Sequence, residues 1–171
     1  MSQEVDMCEE IQTHRLTFVL NPDNIWNSYN SDCRRITETD EWKEVKFLND
    51  DASSLNSDIE SVPNNCGGVY LFTLKGQIDP TSHVYILYVG RVKHTSNQNL
   101  RKRFREYFKD DRPKIKKMRN TWGKDLYIKY LPLNDNTIIT SLEEELIRVI
   151  IPPCNEQYPK VINGAIKAAF M

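Results

Sequence analysis

CGGVYLFTLKGQIDPTSHVYILYVG (66–90) holds two apolar runs around a polar turn, and its reading decides the fold. Residues 66–74 start with two glycines and continue as a strand. Period two puts Gly68, Tyr70, Phe72 and Leu74 on one face and Val69, Leu71 and Thr73 on the other. KGQIDPTSH (75–83) is turn chemistry. HVYILYVG (83–90) is a second strand, with Val84, Ile86 and Tyr88 on one face and Tyr85, Leu87 and Val89 on the other. Both runs are apolar on both sides. That suits a small sheet covered on both faces, or lining a cleft on one. The short connection predicts an antiparallel pair.

Working outward, HTSNQ (94–98) is a polar loop. NLRKRFREYFKD (99–110) has helical spacing, with Leu100, Phe104, Tyr107 and Phe108 in one stripe and Asn99 as cap. RPKIKKMRNTW (112–122) reads as a shorter basic helix with Pro113 in its first turn, and Trp122 reads as core. DLYIKYLPL (125–133) alternates as a third strand. TSLEEELIRVIIPPCN (140–155) is a helix closed by Pro152-Pro153. The expected class is α+β: a small three-stranded antiparallel sheet flanked by helices. VINGAIKAAF closes the chain as a short helix or tail over 157–171. On the other side, residues 1–65 read as an acidic, partly structured extension. LTFVL (16–20) is a strand candidate. DEWKEVKFLND (40–50) is expected to be a helix burying Trp42, Val45 and Phe47-Leu48. DDASSLNSDIESVPNN (50–65) reads as a connection rather than a packed element.

The 171 residues carry a formal charge of −1, which hides a division. Residues 1–65 have 5 Lys and Arg against 14 Asp and Glu; residues 91–129 have 14 against 4. A concentrated basic region supplies affinity for phosphate that is independent of sequence. No run is long and apolar enough to span a bilayer, and the acidic start MSQEVDMCEE is no secretory signal. Cys8, Cys33, Cys66 and Cys154 are scattered without zinc or CxxC spacing, as are His14, His83 and His94. Reduced thiols and a cytoplasmic location are expected. No glycine-rich phosphate loop occurs.

Several residues carry two readings from the pattern alone. Arg103 lies at the flank of its helix's apolar stripe, either snorkelling to water or held against the sheet. Of three successive glutamates, Glu143 lies nearest the buried face of its helix. It could hold Mg²⁺, which accepts few protein oxygens, or it could complete a capping box with Thr140. Tyr70 and Tyr88 could be ordinary sheet residues. Each, however, shares a face with a glycine, Gly68 or Gly90, that leaves room for a close approach.

Taken in order, GVY (68–70), YVG (88–90), Arg103, Glu143 and Asn155 resemble the motif set of the GIY-YIG nuclease superfamily over about residues 66–156. NLRKRFREYF is similar to the corresponding helix of bacterial excision-repair incision subunits. The resemblance gives catalytic positions to Tyr70, Tyr88, Arg103, Glu143 and Asn155, and matches Gly90 to the motif glycine. Glu143 takes the metal, with Glu144 as the rival position. Two departures stand out: HTSNQ lengthens the loop before the helix, and Tyr107 stands where some family restriction enzymes carry histidine.

The implied reaction is Mg²⁺-dependent hydrolysis of a DNA phosphodiester, with Mn²⁺ as substitute and RNA as the other polyanion. Arg103 would hold the scissile phosphate, Tyr88 would orient water or phosphate, and Asn155 would brace the site. Tyr70 would position or deprotonate the water. A free tyrosine, pKa about 10, is a poor base at neutral pH, so cations must lower it or a second base such as Lys93 must help. Arg91 and Lys93 would contact phosphate. Lys102, Arg105, Lys109, Lys114, Lys116, Lys117 and Arg119 would position the backbone. The expectation is a restriction-type or phage or mobile-element enzyme, dimeric if it cuts both strands. The competing readings are a module that binds nucleic acid without cutting, and a nuclease subunit recruited by a protein partner through the acidic N-terminal region.

Overall fold

The computed structural model describes residues 29–78 and 81–159. The strand at 16–20 and the helix or tail beyond 159 lie outside them. In chain order the elements are α1 (Ser31–Thr37), β1 (Lys43–Lys46), a 3₁₀ turn (Ser57–Ser61), β2 (Gly67–Ile78), β3 (Thr81–Val92), α2 (Leu100–Tyr107) and α3 (Pro113–Trp122). A second 3₁₀ turn (Gly123–Asp125), β4 (Leu126–Leu133) and α4 (Asn136–Ile150) follow. The strands form one sheet in the order β1-β4-β2-β3, with every pairing antiparallel. The α+β class is as expected, but the sheet has four strands rather than three.

The fourth strand comes from the segment expected to be helical. Val45, Phe47 and Leu48 are buried as anticipated, yet Lys43–Lys46 pairs with Tyr127–Tyr130 of β4. A short apolar run fits either period. Here the unpaired edge of β4 offers the backbone a ladder, which a lone helical turn could not match. The polar stretch at 50–65 also contributes more than a connection. Its 3₁₀ turn, capped by the Asn56 side chain on Asp58 N at 3.0 Å, plants Ile59 and Val62 in the core.

Helices cover both faces of the sheet. Leu100, Phe104 and Tyr107 of α2 and Ile115 and Met118 of α3 pack with Tyr70, Phe72, Ile128 and Tyr130. Ile139, Leu142, Leu146 and Ile147 of α4 pack with Val69, Leu71, Val89 and Leu131 on the other side. Each such side chain contributes about 1.5–3 kcal/mol, which explains why both strands are apolar on both faces. The tips of the hairpin run to Ile78 and Thr81, so much of the expected turn segment is strand.

Strict alternation fails in β3. Phe72 pairs with Tyr88 but Thr73 pairs with Ile86, leaving Leu87 as the extra residue of a β-bulge. Leu87 therefore joins the α2–α3 side while Val89 stays on the α4 side. Tyr88 keeps the face of Tyr70 and Phe72. The α4 helix begins earlier than expected, capped by Asp135, whose carboxylate accepts from Thr137 N at 2.7 Å and Ile138 N at 3.1 Å. It ends at Ile151, a buried β-branched residue with φ of 51°, a conformation that costs about 1–3 kcal/mol.

Candidate active site

The site grows from the facing positions Tyr70 on β2 and Gly90 on β3. Tyr70 is fully buried, its ring edge-on to Phe104 at 5.1 Å. A Cβ at residue 90 would stand 2.7 Å from Tyr70 Cε2, Cζ and Oη. The glycine of YVG thus makes room for the phenol of GVY. The α2 helix, capped by Asn99 on Lys102 N at 2.9 Å, then brings Arg103 and Tyr107, one turn apart, over this pair.

The result is a chain of hydroxyls. Tyr70 Oη lies 2.9 Å from Tyr107 Oη, which donates to Tyr88 Oη at 3.2 Å. Arg103 Nε donates to Tyr70 Oη and its Nη2 to Tyr107 Oη, both at 3.4 Å. Its guanidinium stacks 4.7 Å from the Tyr107 ring and pairs with Glu106 at 3.1 Å. Arg103 is therefore held inward rather than snorkelling. Tyr107, read from the sequence as part of the helix's apolar stripe and as a departure from the motif set, is the hub of the network. Its i+4 spacing from Arg103 was the signal available.

Burial sets the protonation of this chain. It pushes all three phenols well above the ordinary tyrosine value, and the Arg103 charge only partly offsets it at Tyr70 and Tyr107. Of the two routes open to Tyr70, lowering by cations is the one that burial opposes: a fully buried phenol loses more by charging than one nearby cation returns. Lys93 is exposed and does not line the cleft described below.

Arg91 joins the two halves of the site. Its carbonyl accepts from Tyr70 Oη at 3.3 Å. Its guanidinium pairs with Glu143 on α4 and lies 3.9 Å from Glu144. The first glutamate is 16 % exposed and the second 62 %. Burial raises the Glu143 carboxyl, Arg91 lowers it and Glu144 raises it further. The capping-box reading of Glu143 falls away. Asp135 caps the helix, and Thr140 Oγ1 donates to Asn136 O at 2.8 Å inside it. Glu145 points elsewhere, pairing with Arg148 at 2.6 Å and accepting from Asn30 N at 2.7 Å.

Asn155 is buried on the β3 edge. Its Oδ1 accepts from Val89 N at 2.9 Å and its Nδ2 donates to Val89 O at 2.8 Å. Both amide groups are spent on the backbone between Tyr88 and Gly90, so it braces.

Tyr88, Arg91, Glu143, Glu144 and Asn155 line one open cleft of about 650 Å³, together with Arg112, Ile115, Ile147, Cys154 and residues 156–159. Tyr70 and Arg103 lie behind it and are not part of its wall. Arg112 was not singled out by sequence, where it only opened the expected basic helix; in the structure it is the N-cap residue of α3.

The basic residues divide. Arg105 is bound by Glu60 at 2.5 Å, Lys116 lies 3.6 Å from Asp111, and Lys102 donates to Asn97 O at 2.6 Å. Lys114 Nζ donates to Asn155 O at 2.8 Å. Arg119 Nη1 donates to the carbonyls of Tyr107, Phe108 and Asp110 at 3.0, 2.6 and 3.2 Å, closing the end of α2. Lys109 and Lys117 are exposed.

Among the described residues no group of three or more His, Cys, Asp and Glu could enclose a metal ion. The cleft carboxylates are those of Glu143, which Arg91 engages, and of Glu144. Glu143, with Glu144 beside it, stands at the wall of an open cleft. Comparison with protein-family models, curated proteins and solved structures finds no match.

Proposed function

We propose that this chain is a metal-dependent endonuclease of GIY-YIG type, hydrolysing DNA phosphodiester bonds. The observation that carries the reading is Arg91, which ties the Tyr70–Tyr107–Tyr88–Arg103 network to Glu143 through one residue. Residues far apart in sequence are thereby gathered beside one cleft.

Glu143 is the residue that would hold a Mg²⁺ or Mn²⁺ ion, with Glu144 nearest to it. When bound, such an ion neutralises a phosphate oxygen and the departing sugar oxygen. Tyr88 is the network hydroxyl that reaches the cleft, and it orients the attacking water. Because burial keeps the phenols protonated, they position the water, and its proton passes to solvent in the open cleft. Tyr107 and Tyr70 fix the Tyr88 hydroxyl in place, and Arg103 secures both. Arg91, on leaving Glu143, has a phosphate within the cleft as its natural partner. Asn155 holds the strand that presents Tyr88.

Mg²⁺-dependent nicking of plasmid tests the reading. Glu143→Ala and Arg103→Ala are expected to abolish nicking, whereas Arg105→Ala, whose partner is Glu60, retains most of it. Nicking by the Glu143→Ala protein at the wild-type rate would remove the metal assignment. Binding of DNA with no nicking in any divalent ion would favour a module that binds and does not cut.

A further inference from the structure

We propose that Arg112 is the guanidinium that grips the substrate phosphodiester in the cleft, and that Arg103 acts behind it as a positioning residue. The inference rests on the nuclease reading and changes the role that the family resemblance gives to Arg103.

Arg112 lines the cleft with Tyr88, Arg91 and Glu143, and Arg103 does not. The Arg112 side chain is 40 % exposed. Its Nε lies 3.1 Å from Asp110 Oδ1 and its Nη2 2.7 Å from Oδ2, so one edge of the fork is fixed by a carboxylate outside the cleft wall. Its Cζ stands 6.0 Å from the Tyr88 ring and 5.7 Å from the Tyr107 ring. The remaining N–H groups are left to the phenols and the cleft. A guanidinium oriented in advance loses little entropy when it meets a phosphate.

While no cation occupies Glu143, as in the EDTA binding assay, the two other candidates are committed. Arg91 neutralises Glu143 within the cleft. Arg103 is spent on Tyr70, Tyr107 and Glu106. Arg112 is paired as well, but its partner Asp110 stands outside the cleft wall, so the free edge of its guanidinium is what the cleft presents next to Tyr88.

The test measures binding of a fluorescein-labelled DNA duplex in EDTA, together with nicking kinetics in Mg²⁺. Arg112→Ala is expected to weaken binding about tenfold or more, the loss of a charged hydrogen bond, and to raise KM with kcat little changed. Arg112→Lys keeps the charge without the fork and should recover part of the binding. It also serves as the folded control if the alanine variant melts early. Arg103→Ala should bind near the wild-type level and lose kcat. Wild-type binding by both Arg112 variants, alongside a binding loss in Arg103→Ala, would overturn the assignment and leave the nuclease reading standing. A wild-type protein that neither binds nor nicks DNA would overturn both.

Discussion

Tyr70 and Gly90 show how one missing methyl group sets a site. The Gly90→Ala Cβ would meet the hydroxyl end of Tyr70 at 2.7 Å, and both groups are buried between strands. The ring must tilt, breaking its bonds to Tyr107 and Arg103. Overpacking of this kind costs about 1–3 kcal/mol. Chemical denaturation should register that loss, and nicking should fall much further than stability does. The same phenols predict a pH dependence. Unfolded tyrosines ionise at about pH 10, and burial places Tyr70, Tyr88 and Tyr107 above that in the folded chain. Their contribution to stability is whole below about pH 10 and is lost as pH rises through the folded values. Unfolding free energy is therefore expected to be unaffected by these groups near neutrality and to fall in alkali. Phenolate absorbance should lag behind that of the denatured protein, and a normal titration of all tyrosines in the folded chain would contradict the network.

On the proposed reading, the α4 helix separates catalysis from stability within three consecutive residues. Glu143 faces the cleft, Glu144 is exposed, and Glu145 holds Arg148 and the start of α1, with both members of that pair 15 % exposed. Glu145→Ala removes the carboxylate that Arg148 and the Asn30 amide share and should cost about 1.5–3 kcal/mol, while Glu143→Gln is expected to fold normally and not to nick. Hydrogen bonds from Arg148 and Asn30 hold the Glu145 carboxyl below its usual range, with burial opposing. Its contribution is present above the unfolded carboxylate value, about pH 4.3, and disappears as pH falls through the folded one. Acid unfolding of Glu145→Gln should lack that component. Most of this element was legible in advance: helical period, buried face and the special place of Glu143 all follow from spacing. Its start was not, because Asp135 and Asn136 lie before the apolar stripe and a cap is a local polar event. The β1 strand was misread for a related reason. Four residues fit two periods, and the decision belongs to β4, about 80 residues away in sequence. The bulge at Leu87 and the position of Arg112 depend likewise on contacts that no local pattern encodes.

Across the whole molecule, charge is sorted by use. Lys109 and Lys117 are exposed, whereas Arg119 closes α2 from the inside. Affinity for DNA should fall with salt. Lys109→Ala and Lys117→Ala should each reduce the slope of log affinity against log salt by about one. Arg119→Ala should leave the slope alone and cost about 2 kcal/mol, the worth of hydrogen bonds to a charged group. An unchanged melting temperature for that variant would return Arg119 to the residues proposed to meet DNA. The chain beyond α4 has a wider effect. Cys154 N donates to Leu87 O at 2.8 Å and Asn155 takes both backbone groups of Val89, so the 87–89 stretch of the β3 edge is covered by the polypeptide's own continuation. A protease nick or a premature stop after Ile151 would strip that cover. The uncovered backbone would then be a template for a second copy, and loss of these residues should show as self-association of the chain together with loss of the cleft wall.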